Sequence, residues 1–196
     1  MDKKQEKIKN FLREAEKLKQ IKRKTYLSNR QDREDVAQHS WELMLMVLTL
    51  EEYLPAGADL LKVLKILAVH DLVEIDCGDT YALDSSQKFK KSEKERQAAK
   101  RIFSFLPAKK GREFLELWRE YEEGSSLEAR IAKAIDRIAP VAQFNSSEKI
   151  DNEFKASPQE CYDYAIGNLE EFPELKRYFK AIIEETARIK GDKVDF

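Results

Sequence analysis

Leu64–Thr80 reads LKILAVHDLVEIDCGDT, and Val36–Leu45 reads VAQHSWELML; between them they hold both histidines of the chain, His39 and His70. The first run continues a segment beginning near Asp59 that is apolar on most sides, through Leu60, Leu61, Val63, Leu64, Ile66, Leu67 and Val69. Such a pattern predicts the most buried helix of the chain. Elsewhere apolar residues recur at spacings of three and four, and alternating β-branched runs are absent. The fold class is therefore read as all-α, a helical bundle of about eight helices.

Working outward, Ile8, Phe11, Leu12, Ala15, Leu18 and Ile21 stripe a first helix near Lys3 to Ile21. Lys22 to Gln31 is polar and irregular. Asp32 can cap a second helix that carries Val36, Trp41, Leu43, Val47 and Leu50 and stops before Pro55, with Trp41, Met44 and Met46 read as core filling. Gly78 breaks the third helix, and Asp79 to Ser86 reads as a loop. The pairs Ser92 with Glu95, Ser125 with Glu128, and Ser157 with Glu160 have capping-box spacing, the last with Pro158 at the first helical position. Phe114, Trp118 and Tyr121 stripe another helix, and a final one runs from about Pro173 to Lys190.

An imidazole inside an apolar helix is costly unless something satisfies it. A metal ion would satisfy both rings. Asp71 is adjacent to His70, and adjacent residues can chelate an ion lying above the seam between them. Glu74 lies four residues after His70 and, on α-helical spacing, shares its face. A fourth ligand should be a carboxylate on another apolar helix, and Asp136 in ARIAKAIDRIAP is the candidate. Alone, Asp136 could equally pair with Lys133, Glu74 could be a solvated helix end, and Asp79 an ordinary turn residue. Two imidazoles and two carboxylates leave room for water and suit Mn, Co, Fe, Ni or Zn better than calcium. Such an ion lowers the pKa of water from 15.7 to about 7 and polarises a phosphoryl oxygen.

The 196 residues are 42% hydrophobic and 37% charged, enough for one core, and the whole chain is expected to form a single domain. Thirty-six basic against 37 acidic residues give a net charge of −1, so no electrostatic case exists for a nucleic-acid or acidic-membrane partner. The opening MDKKQEKIKN has no apolar leader, no run is long enough to span a membrane, and Cys77 and Cys161 form no CxxC. A cytoplasmic location is expected. The runs DxDx[TV], GxxxxGK[ST] and GxGxxG are absent, and no extra histidine exists for a second metal.

The ordered pattern H…HD…D, with HSW at His39–Trp41 and HDxxExxxGD at His70–Asp79, resembles the HD-domain metal-dependent phosphohydrolase superfamily. Within it the chain is most similar to the compact 5′-deoxynucleotidase-like branch, over residues 18–145. The resemblance implies metal ligands at His39, His70, Asp71 and Asp136. It implies that Glu74 positions or deprotonates the attacking water, and that Asp79 contacts the sugar and favours deoxyribose. It implies that Arg23, in IKRKTYL, holds the phosphate, a role that suits a planar guanidinium. The substrate implied is a 5′-deoxynucleoside monophosphate and the assembly a homodimer. Gln38 stands where the pattern has an acid, and Lys24 where some members have an aromatic, with Tyr26 the nearest substitute. A triphosphohydrolase of the same superfamily, or a helical module that binds metal or nucleotide without catalysis, are the alternatives.

Overall fold

The computed structural model describes residues 2–79, 88–147 and 156–196. Helix α1 (Lys3–Ala15) tightens into a 3₁₀ turn at Glu16–Gln20 and leads to a two-stranded antiparallel hairpin, β1 (Lys22–Tyr26) and β2 (Arg33–Asp35). Then come α2 (Val36–Thr49), α3 (Leu60–Val69), a 3₁₀ turn at His70–Val73 and the short α4 (Glu74–Cys77). Helices α5 (Lys88–Ser104), α6 (Ala108–Glu123), α7 (Leu127–Asn145), α8 (Pro158–Ile166) and α9 (Pro173–Lys190) complete the described chain. The expected all-α class holds, with the hairpin as an addition to it. Among the described residues no helix is long and apolar enough to cross a membrane. Most of the expected Asp79–Ser86 loop, from residue 80 on, lies outside the described residues.

Several boundaries differ from the expectation for identifiable reasons. Asp35, not Asp32, caps α2, in a reciprocal box with Gln38. Asp32 is instead engaged in the hairpin turn, where its carboxylate accepts from the Asn29 side-chain amide at 2.9 Å. Ser126 rather than Ser125 caps α7, through the Ala129 amide. Ser92 lies inside α5, which is already helical at Lys88. Ser157 and Glu160 form the expected box, with Pro158 following.

The core falls into two apolar clusters. One gathers Leu43, Val47, Val63, Ile66, Leu67, Ile131, Ile135 and Phe179, where α2, α3, α7 and α9 meet. The other gathers Phe11, Val36, Val69, Leu72, Ile102, Phe103 and Trp118, from α1, α5, α6, the 3₁₀ turn, the start of α2 and the end of α3. Both α2 and α3 pass from one cluster to the other. His39 falls between Val36 of the second and Leu43 of the first, and His70 between Leu67 and Leu72. Both histidines therefore sit at the seam.

Helix α7 gets close to its neighbours because Ala129, Ala132, Ala134 and Ala139 present small side chains, all essentially fully buried. Trp41 is not core filling. It is 62% exposed, and with Leu45 and Leu48 it lies on the face of α2 opposite Val36, His39, Leu43 and Val47. Met44 and Met46 do pack against the core. Leu12 of the α1 stripe is also exposed, while Phe11 and Leu18 anchor that end of the chain.

Candidate metal centre

Four stretches of chain bring their polar side chains to the seam. His39, in the second turn of α2, points Nε2 at Asp136 Oδ1, 2.9 Å away. His70 caps the end of α3, and its Nδ1 lies 2.8 Å from the Leu67 carbonyl. That carbonyl can only accept, so Nδ1 carries a proton, and it is the neutral ring that leaves a lone pair on Nε2. Nε2 faces Asp71 Oδ2 at 3.0 Å. One donor atom each from His39, His70 and Asp136 falls within 4.8 Å of the others.

His70 and Asp71 are the first two residues of the 3₁₀ turn. Adjacent residues stand about 100° apart on an α-helix and about 120° apart on a 3₁₀ turn, so the two tips meet by side-chain reach across the seam, not by sharing a face. The turn breaks the α-helical register on which Glu74 was expected to share the His70 face, since 3₁₀ geometry completes a turn every three residues. Glu74 opens α4 with its carboxylate buried rather than forming a solvated helix end. Gly78 then ends α4 at φ +71°, a conformation suited to glycine. The chain turns there, and Asp79 Oδ1 comes to 3.7 Å from Arg23 Nη1.

Arg23 reaches the seam from β1, with Nη1 3.8 Å from Asp71 Oδ2 and Nε bonded to Glu34 at 3.0 Å. Burial works against its charge, but the carboxylates of Asp71, Asp136, Glu34 and Asp79 more than offset this and hold it cationic. Tyr26 packs with Arg33: its ring lies under that side chain at 4.3 Å, and its hydroxyl accepts from it.

Asp136 is held more tightly than a pairing with Lys133 would allow. Its Oδ2 accepts from the Tyr121 hydroxyl at 2.9 Å and from Arg137 Nη1 at 2.8 Å, leaving Oδ1 to face His39. Lys133 turns away to the Glu122 carbonyl. Four residues on, Pro140 has no N–H to donate to the Asp136 carbonyl, so the helix ladder is interrupted at this residue. Burial alone would favour the neutral acid, yet His39 and Arg137 bring Asp136 well below the usual carboxylate range. Burial likewise opposes a charge on His70, and Asp71 overrides it, shifting the imidazole upward.

His70 Nε2 and Asp71 Oδ2 are both buried and, despite their proximity, make no hydrogen bond. Two orphaned buried polar atoms would cost about 1–3 kcal/mol each, and a side chain as buried as His39, His70 or Asp136 needs compensation. A shared cation removes that penalty, because each atom then has the partner it faces. The donor set fits a divalent metal ion, with nitrogen and oxygen donors and second-contact groups already in place on His70 and Asp136.

Three participants escaped the sequence reading. Tyr121 reads in the sequence only as part of a core stripe, yet its ring meets the His70 ring edge-on at 4.8 Å. Arg137 and Glu34 carried no periodic signal; the only clue to Arg137 was its adjacency to Asp136. Tyr121→Phe removes the hydroxyl and keeps the ring. It is expected to weaken Mn²⁺ binding by about tenfold and to lower unfolding free energy by about 1 kcal/mol, as measured by calorimetric titration and urea denaturation. Unchanged metal affinity would reduce Tyr121 to packing.

Residues 15–176 match the family model described as HD domain. The 5′-deoxynucleotidase HDDC2 of Bos taurus is 30% identical over 184 residues, covering 92% of this chain and 87% of its own length. The protein of the same name from Homo sapiens is 30% identical over 84% of this chain and 79% of its own. A solved structure described as a predicted metal-dependent phosphohydrolase, from Magnetospirillum magnetotacticum MS-1, is 32% identical and superposes with a TM-score of 0.87. The match covers 97% of this chain and 99% of that one.

Proposed function

Since the chain belongs to the HD domain family and is a hydrolase of nucleotide phosphate esters, we propose that its substrate is a 5′-deoxynucleoside monophosphate. The ion held by His39, His70, Asp71 and Asp136 is Mn, Co, Fe, Ni or Zn in this reading, in keeping with mixed nitrogen and oxygen donors. The observation that carries the proposal is the convergence of His39, His70 and Asp136 within 4.8 Å, beside an Asp71 oxygen that has no hydrogen bond.

When bound, the ion supplies Lewis acidity, acidifying water and polarising a phosphoryl oxygen. Arg23 holds the phosphate dianion through Nη1, with its own charge sustained by the surrounding carboxylates. Glu74 takes the proton of the attacking water. The water oxygen bonds to phosphorus, the bond from phosphorus to the 5′-oxygen breaks, and that oxygen leaves as the nucleoside hydroxyl by taking a proton from solvent, to which Glu74 returns the proton it took. Asp79, close to Arg23, contacts the sugar of a substrate whose phosphate Arg23 holds.

A phosphate-release screen across 5′-deoxynucleoside monophosphates, 5′-ribonucleoside monophosphates and deoxynucleoside triphosphates, each with Mn²⁺, Co²⁺ or Zn²⁺, tests this. Turnover is expected with the deoxynucleoside monophosphates, and Asp79→Ala should narrow their advantage over the ribonucleotides. Preference for triphosphates would favour the triphosphohydrolase reading. Binding of nucleotide with no ester cleaved under any ion would favour a non-catalytic module.

A further inference from the structure

We propose that Glu34 is a positioning residue that couples the phosphate-holding arm of the site to its metal-holding imidazole. This rests on the roles given above to Arg23 and His39. Glu34 is the middle residue of β2 and is 1% exposed. A carboxylate that deep is tolerated only if its oxygens are matched. Oε2 accepts from Arg23 Nε at 3.0 Å and from the Thr25 hydroxyl at 2.6 Å, and Oε1 lies 3.7 Å from His39 Nδ1.

Each contact has a directional consequence. Arg23 could present a two-pronged edge to a carboxylate, but Glu34 takes only Nε. The guanidinium plane is thereby set while Nη1 is left toward Asp71 and Asp79. At His39, Nε2 is the nitrogen facing Asp136, so a metal-binding imidazole must carry its proton on Nδ1. Nδ1 is the side that Glu34 Oε1 faces. At 3.7 Å the contact is electrostatic, and it favours that tautomer. The Thr25 hydroxyl adds a donor to Oε2, so the carboxylate is held from the strand as well as by its two functional partners.

The test uses the full-length chain, stripped of metal and titrated with Mn²⁺ by calorimetry, and steady-state kinetics at saturating Mn²⁺ with a 5′-deoxynucleoside monophosphate. Glu34→Gln preserves shape, and circular dichroism checks its fold. It is expected to bind Mn²⁺ about tenfold more weakly and to raise KM about tenfold with a smaller change in kcat. In an Arg23→Ala background the KM effect of Glu34→Gln should vanish while the Mn²⁺ effect persists. A general loosening of the fold would move both in either background.

Wild-type Mn²⁺ affinity and KM in Glu34→Gln would overturn the inference, as would a KM effect of equal size without the arginine. If Arg23→Ala raises KM and Glu34→Gln does not, the inference fails alone. If Arg23→Ala leaves KM unchanged, the phosphate role of Arg23 fails and takes the inference with it. Should Glu34→Gln not fold, Glu34→Asp keeps the charge but retracts it by one methylene, and weakening of both readouts is expected; no change in either overturns the proposal.

Discussion

Asp136→Ala is expected to abolish tight divalent-metal binding and to cut phosphate release by about 10³-fold or more, because it removes one charged donor and unseats its neighbours. Asp136 Oδ1 faces His39 Nε2, while Oδ2 gathers Tyr121 and Arg137. Without it, the Tyr121 hydroxyl loses its acceptor and Arg137 keeps a half-buried charge whose partner is gone. Breaking a buried pair from one side costs about 3–5 kcal/mol, so lower stability is expected as well. That complicates a reading from activity alone. Asp71→Asn provides the companion, since it keeps the shape of the side chain while removing its charge, and Asp71 Oδ2 makes no hydrogen bond for the change to break. Calorimetric Mn²⁺ titration and thermal melting on both variants separate the effects. Metal affinity lost in both, with stability lost mainly in Asp136→Ala, is the expected pattern. Normal Mn²⁺ affinity in either would remove that residue from the centre.

The parts of this site legible in the sequence are those that ride on apolar periodicity. His39, His70 and Asp136 interrupt helices otherwise rich in buried aliphatics, so their polarity stood out against the pattern. The hairpin did not stand out, and for a physical reason. Its inward side chains are Arg23, Thr25 and Glu34, which satisfy one another by hydrogen bonds rather than by apolar burial. A strand of that kind, KRKTY against RED, shows no alternation of apolar and polar residues. Arg23 was reached only through resemblance, and Glu34 not at all. The 3₁₀ turn at His70–Val73 was equally silent, because HDLV has no residue that forbids an α-helix. Tertiary contact with α5 and α6 accompanies the tighter geometry there. Trp41 shows the converse, since an aromatic beside an apolar stripe reads as core although its position on the helical wheel lies opposite the buried face.

Glu74→Gln is the second large effect expected, a fall in kcat of about 10²–10⁴-fold with Mn²⁺ affinity retained. The amide has nearly the shape of the carboxylate but cannot accept a proton, so it tests proton transfer rather than packing. The distinction from Asp136 is built into the geometry. The three donor atoms that approach within 4.8 Å of one another come from His39, His70 and Asp136; Glu74 and Asp71 are both outside that group, but Asp71 Oδ2 lies 3.0 Å from His70 Nε2. Glu74 follows the 3₁₀ turn as the first residue of α4, and the backbone N–H of Gly78, which ends that helix, donates to the Glu74 carbonyl, which the substitution leaves in place. Measured side by side, a ligand variant should lose metal and turnover together, whereas Glu74→Gln should lose turnover alone. Full activity in Glu74→Gln would move the base to another carboxylate, with Asp79 next to be tested because it lies close to the arginine assigned to the phosphate. Loss of metal affinity in Glu74→Gln would instead make it part of the ion's environment, and the proton would then have to leave the water by another route.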